Sequence, residues 1–120
     1  MPTFSQQVLS GSTDGDPIKV AATSIGSGTA IHTAPASTTT IDKVRLYVTN
    51  TDTVARNVTI GWGGSTDPDH LIVDGFSVPP NTPPILLVDN LPIRNSNAIV
   101  ASGAAANVLL ITGDVIRVAA

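Results

Sequence analysis

The densest group of side chains able to hold an ion or carry a proton is Asp67-Pro68-Asp69-His70, with Asp74 close behind. Paired carboxylates beside a histidine bind divalent cations or exchange protons. The same residues follow Gly63-Gly64-Ser65-Thr66 and surround Pro68, a setting in which Asp side chains cap turn amides. A turn is therefore the expected reading, with an ion at Asp67, Asp69 and His70 left open. Asp14-Gly15-Asp16 begins like a calcium loop but lacks the later ligands and the closing bidentate Glu, so it reads as a polar bend. His32 has no sequence-local partner and reads as a plain strand residue. Gly61-Trp62-Gly63-Gly64 lacks the lysine and following hydroxyl of a phosphate loop, and no Gly-x-Ser-x-Gly elbow occurs.

Trp62 could stack on a sugar, but it is phased with Val58 and Ile60, which favours a place in the core. A solvent-exposed Trp62 would support sugar binding, and one buried under Val58 and Ile60 would exclude it. Asn57-Val58-Thr59 matches a glycosylation acceptor and reads as chance without a secretion signal. No catalytic, cofactor or metal site is expected, and the chain is not read as an enzyme.

The elements that position these residues point to an all-β protein. All nine acidic residues are Asp, there is no Glu, and lysine appears only at Lys19 and Lys43. Strong helix formers are thus scarce, while Thr, Asn, Asp, Gly and Pro favour strands and turns. Aromatics are limited to Phe4, Tyr47, Trp62 and Phe76, so the core must be built from Val, Ile, Leu and Ala. At 120 residues the chain suits one domain. The net charge is −3 and its six cations are scattered, which argues against a nucleic-acid surface. Cysteine is absent, so disulfides and thiolate metal sites are excluded. No apolar run approaches the roughly 20 residues of a membrane-spanning helix, and the N-terminus lacks a signal-peptide pattern. A soluble protein made in a cytoplasm, without membrane partners, is expected.

Ile41 to Gly64 organises the chain. Apolar and polar residues alternate from Lys43 to Thr49 and again from Asn57 to Trp62, with Asn50-Thr51-Asp52-Thr53 reading as the turn of a hairpin. Further short strands are expected at Thr29–Ala34, His70–Val73, Phe76–Val78, Ile85–Val88, Leu91–Arg94, Ala98–Ala101, Asn107–Thr112 and Val115–Val118. Pro79-Pro80-Asn81-Thr82-Pro83-Pro84 lacks four backbone donors and suits a connection across one end. The pattern is that of a single β-sandwich, jelly-roll or Ig-like, of eight or nine short strands over residues 29–120. Residues 1–28 are expected to form an extended N-terminal arm, anchored on a neighbouring subunit or capsid through Phe4, Val8 and Leu9. Val108 to Ile111 is apolar on both faces, so it is either a central strand covered on both sides or one face meets another subunit, which makes Leu109 and Ile111 a possible subunit interface.

Ile31-His32-Thr33-Ala34-Pro35, the stretch Val48 to Ile60, Gly63-Gly64 with the distal Pro79-Pro80, and Ala98-Ile99-Val100-Ala101 before a closing apolar strand carry a likeness. From Ile31 onward the chain resembles small β-sandwich proteins of tailed-bacteriophage virions, which are similar to capsid decoration (cement) proteins and other head- or tail-associated subunits. The resemblance implies a non-enzymatic structural protein that decorates and stabilises an icosahedral capsid. Its implied partners are the major capsid protein and copies of itself, most simply a trimer, since cement proteins commonly sit on threefold axes. Its implied location is the virion exterior after synthesis in the bacterial host cytoplasm. A tail, neck or fibre-attachment subunit is the alternative within this class, and a carbohydrate-binding module is the alternative outside it.

Overall fold

The computed structural model describes residues 3–66 and 69–119. Nine strands follow in order: β1 (Thr3–Gln7), β2 (Ile18–Lys19), β3 (Thr29–Thr33), β4 (Ile41–Asn50), β5 (Arg56–Trp62), β6 (Leu71–Val78), β7 (Ile85–Ile93), β8 (Ala98–Gly103) and β9 (Leu109–Ala119). One 3-10 turn, Ile25–Ser27, is the only helical element among the described residues, and no helix there is long and apolar enough to cross a membrane.

The strands form two antiparallel sheets. One runs β1-β9-β4-β7, with β2 also paired to β9; the other runs β3-β8-β5-β6. From β2 onward every connection except β5–β6 carries the chain from one sheet to the other. This interleaving of two four-strand paths is the jelly roll, and it settles the choice against the Ig-like arrangement. The core between the sheets is aliphatic: Val44, Leu46, Val48, Leu109, Ile111 and Val115 from one side meet Ile31, Val58, Ile60, Val78, Ile99 and Ala101 from the other. That composition follows from a chain with four aromatics, since branched aliphatics fill a thin sandwich layer well.

Four expectations are corrected. The stretch Ile41 to Gly64 is not a hairpin, because β4 and β5 lie in different sheets and face each other across the core. The link between them is a corner held by Asn50, whose Nδ2 donates to the carbonyls of Val54 and Val78 at 2.8 Å each, while its Oδ1 accepts from Asp52 N–H. Second, the turn-type residues Gly75, Asn90 and Gly113 do not end strands. Gly75 and Asn90 adopt φ +68 and +61 where β6 and β7 each carry one extra residue against their partners, so they mark β-bulges. Gly113 lies in an unbroken ladder opposite Leu46, where a Cβ would run into the Arg45 carbonyl.

Third, the segment expected to form an arm over residues 1–28 is built into the sandwich from Thr3 onward. β1 and β2 are two halves of one edge strand along β9, with Thr3 opposite Ala119, Gln7 opposite Val115 and Ile18 opposite Ile111. Between them the chain leaves the edge and crosses to β3, where Gly11 N–H donates to Ile31 O at 2.9 Å. A Cβ at Gly11 would stand 2.5 Å from the Ala30 carbonyl, so this approach requires glycine. Leu9 inserts into the core, only 1% exposed, together with Ile18 and Val20. Leu9 is thus an anchor of its own domain. Fourth, Leu109 and Ile111 are fully buried between the sheets, so they do not offer a subunit interface. The opposite face of that run, at Val108 and Leu110, is itself half-covered.

Candidate functional site

The connections β3–β4, β5–β6 and β7–β8 gather at one end of the sandwich. Asn95 N–H and Ser96 N–H donate to the carbonyls of Ser37 and Pro35, Ala34 N–H donates to Asn97 O, and Gly63 N–H donates to Ala98 O. Arg94 Nη1 reaches back to Thr38 O at 2.7 Å. These bonds enclose a cleft of about 550 Å³ lined by Trp62, Gly63, His70, Arg94 and Asn97 over an aliphatic base.

Trp62 occupies the last position of β5 in the inward phase of Val58 and Ile60, as its spacing indicates. The strand ends there, so the indole packs on the core with one part and lines the cleft with another. Its Nε1–H donates to Pro92 O at 3.2 Å on the opposite sheet, which fixes the ring plane. The residue is half-buried, between the two conditions set by the sequence reading.

His70 closes the β5–β6 connection. Its backbone pairs with Thr66 and Trp62, and its Nδ1 accepts from Thr66 N–H at 3.1 Å. That bond places the neutral ring's proton on Nε2. The ring lies flat on Gly64, where a Cβ would come within 2.7 Å of it. Asp69 is exposed in the same turn and Asp74 is exposed on β6, while Asp67 lies outside the described residues. Among the described residues no group of three or more His, Cys, Asp or Glu side chains converges to hold a metal ion.

A second cluster, buried directly behind the cleft, was not anticipated. Asp42 follows the cleft residue Ile41 and pairs in register with the cleft residue Ile93. Its carboxylate is fully buried and accepts from His32 Nε2 at 2.7 Å and from Arg117 Nε and Nη2 at 2.8 and 3.1 Å. His32 is itself buried, and its Nδ1 accepts from Ser10 N–H at 3.0 Å, so the ring donates through Nε2. Burial pushes the Asp42 carboxyl up, but the hydrogen bonds from Arg117 and His32 and the charge of Arg117 outweigh it and hold the group below its ordinary value of 3.8. The same contact raises Arg117. The cluster ties β3, β4, β9 and the β1–β2 connection together; every ring nitrogen and carboxylate oxygen is satisfied inside the protein, which is the arrangement of a structural brace.

The sequence carried one signal of this cluster. Asp42 lies in the same alternating row as Val44, Leu46 and Val48, so a charge was placed on the core face and needed a partner. Its partners lie 10 and 75 residues away, and no local pattern names them.

The residues expected to meet a neighbour divide by exposure. Phe4 on β1 is 70% exposed and Val8 is 50% exposed, whereas Leu9, Leu109 and Ile111 are core. The other side of the molecule, formed by the edge strands β6 and β7, exposes Ile72, Phe76, Leu86 and Leu91.

No protein-family profile and no curated protein sequence matches this chain. Among solved structures, the fold is similar to a protein in the crystal structure of the infectious bursal disease virus VP2 subviral particle, with a TM-score of 0.53 at 14% sequence identity. The match covers 98% of this chain and 32% of that one, so the chain spans about a third of the length of its structural neighbour. At this identity the likeness is one of fold.

Proposed function

We propose that this chain is a non-enzymatic structural subunit of a virus particle, and that it acts as a cement protein on the exterior of a tailed-bacteriophage capsid. The observation that supports this reading above others is the jelly roll itself, similar over 98% of the chain to a protein of a subviral particle. The distribution of apolar surface agrees with it. Large side chains are exposed on both flanks, Phe4 and Val8 beside β1 and Ile72, Phe76, Leu86 and Leu91 on β6 and β7. Exposed apolar patches of this kind mark contact surfaces, and unpaired edge strands invite pairing with another chain.

The partners in this reading are the major capsid protein and further copies of the chain, most simply a trimer. Burying the two flanks between capsomers contributes binding energy at about 25 cal/mol per Å² of apolar surface, which resists the outward pressure of packaged DNA. The experiment is co-sedimentation of the purified protein with undecorated capsids of the phage that encodes it. Saturable binding is expected, and a Phe4→Ser, Val8→Ser variant should bind at least about tenfold more weakly with its melting temperature unchanged. Failure of the intact protein to sediment with capsids contradicts the reading.

A further inference from the structure

We propose that the cleft beside Trp62 is a saccharide-binding site with a preference for sugars that carry a carboxylate. The inference rests on the cleft alone and holds wherever the protein sits on a particle. Its volume of about 550 Å³ falls within the range of roughly 300–1,000 Å³ that small-ligand pockets occupy. Trp62 is the only tryptophan in the chain, and its orientation is locked by the core beneath it and by the Nε1 bond to Pro92 O. An indole held in this way is a preformed wall against which the C–H face of a pyranose packs without loss of side-chain freedom.

The polar groups around that wall are mostly donors. His70 presents Nε2–H because Nδ1 is committed to Thr66 N–H. Asn97 lines the cleft, and its side-chain amide has no protein partner among the described residues. Arg94 spends Nη1 on Thr38 O, and among the described residues it forms no ion pair and its Nε and Nη2 meet no protein acceptor. Among the described residues, Arg94 is the one permanently charged residue lining the cleft. Asp69, next to His70, is not part of the lining.

Gly63 keeps the floor open. Its φ of +86 disfavours other residues, and a Cβ there would point between the His70 ring and the Asn97 amide, 3.8 and 3.9 Å from them. A neutral sugar would use Trp62, His70 and Asn97. A carboxylate would add a charge-assisted, two-pronged contact with Arg94, which is the source of the preference.

The single tryptophan makes the test direct, because its fluorescence reports on the cleft alone. The full-length protein is titrated with sodium glucuronate, glucose and sodium acetate at constant ionic strength. Glucuronate should give a saturable change, glucose should bind about tenfold more weakly, the worth of one charge-assisted contact, and acetate should give none. Arg94→Gln should lower glucuronate affinity to that of glucose while leaving glucose unchanged, and Asn97→Ala should weaken both sugars. Both positions are exposed, and circular dichroism checks that each variant remains folded. Absence of saturation with either sugar overturns the proposal. So does equal affinity for glucuronate and glucose, acetate binding as tightly as glucuronate (a bare anion site), or an unchanged glucuronate affinity in either variant.

Discussion

Asp42 sits in the row of β4 side chains that points into the sandwich, where an ionised carboxylate is tolerated only because His32 and Arg117 both donate to it. Removing its charge leaves two donors facing a neutral amide. Asp42→Asn should therefore destabilise the fold by about 3 kcal/mol, at the low end for a broken buried pair, because Arg117 is one-third exposed and can rehydrate. Chemical denaturation of the two proteins at neutral pH measures this. The pH dependence has a defined sign. A carboxyl held below 3.8 in the fold adds stability that is present above that value and disappears as pH falls through the folded value. Asp52, lowered by the Thr53 amide and by Arg56, acts in the same direction. Asp42→Asn should accordingly lose less stability than the parent between neutral pH and pH 3 or so, leaving chiefly the Asp52 share; parallel curves would contradict the assignment. At Trp62 the half-burial sets the magnitude. Trp62→Ala should cost less than the roughly 3–5 kcal/mol of a fully buried aromatic, because the cleft already exposes part of the ring.

Strands were legible where alternation was strong and local, and illegible where long-range pairing overrode local signals. The inward row of β4 and the apolar phase of β5 were readable residue by residue, as was the need for an aliphatic core. Their placement in separate sheets was not, because Asn50-Thr51-Asp52-Thr53 suits a tight hairpin and a sandwich corner equally well; the deciding bond, Asn50 to Val78 O, spans 28 residues. Gly75, Asn90 and Gly113 looked like strand ends because the same residues serve turns, bulges and close backbone approaches. Gly113 gives a test at this scale: Gly113→Ala drives a methyl into the Arg45 carbonyl and should destabilise by about 1–3 kcal/mol, the range for overpacking. The N-terminal segment is illegible for a compositional reason. Ser, Gly, Thr and Asp dominate residues 10–16, and the isolated Leu9, Ile18 and Val20 acquire their meaning only from β9 and β3. β1 presents exposed side chains, so deletion of residues 2–7 should leave a folded protein. Deletion of residues 2–17 also removes Leu9 and the Ser10 bond to His32, and should cost several kcal/mol more, since burying a leucine alone is worth about 2–5 kcal/mol. Urea melts of the two truncations separate an edge strand from a core segment; equal stability would show that Leu9 does not hold the core.

On the scale of the whole molecule, the jelly roll leaves a buried core, a cleft at the β3–β4, β5–β6 and β7–β8 end, and two flanks with exposed apolar side chains. The core and its Asp42 brace account for folding. The flanks are the surfaces that a structural role requires. The most direct test of the proposed capsid role is a side-chain-resolution map of the particle assembled from the genome that encodes this chain. The proposal predicts ordered copies on the outer capsid surface, with Phe4 and Val8 covered by the shell or by a neighbouring copy and β9 still paired to its own β1. Particles whose protein inventory lacks the chain, or a map in which both flanks face solvent, would contradict it.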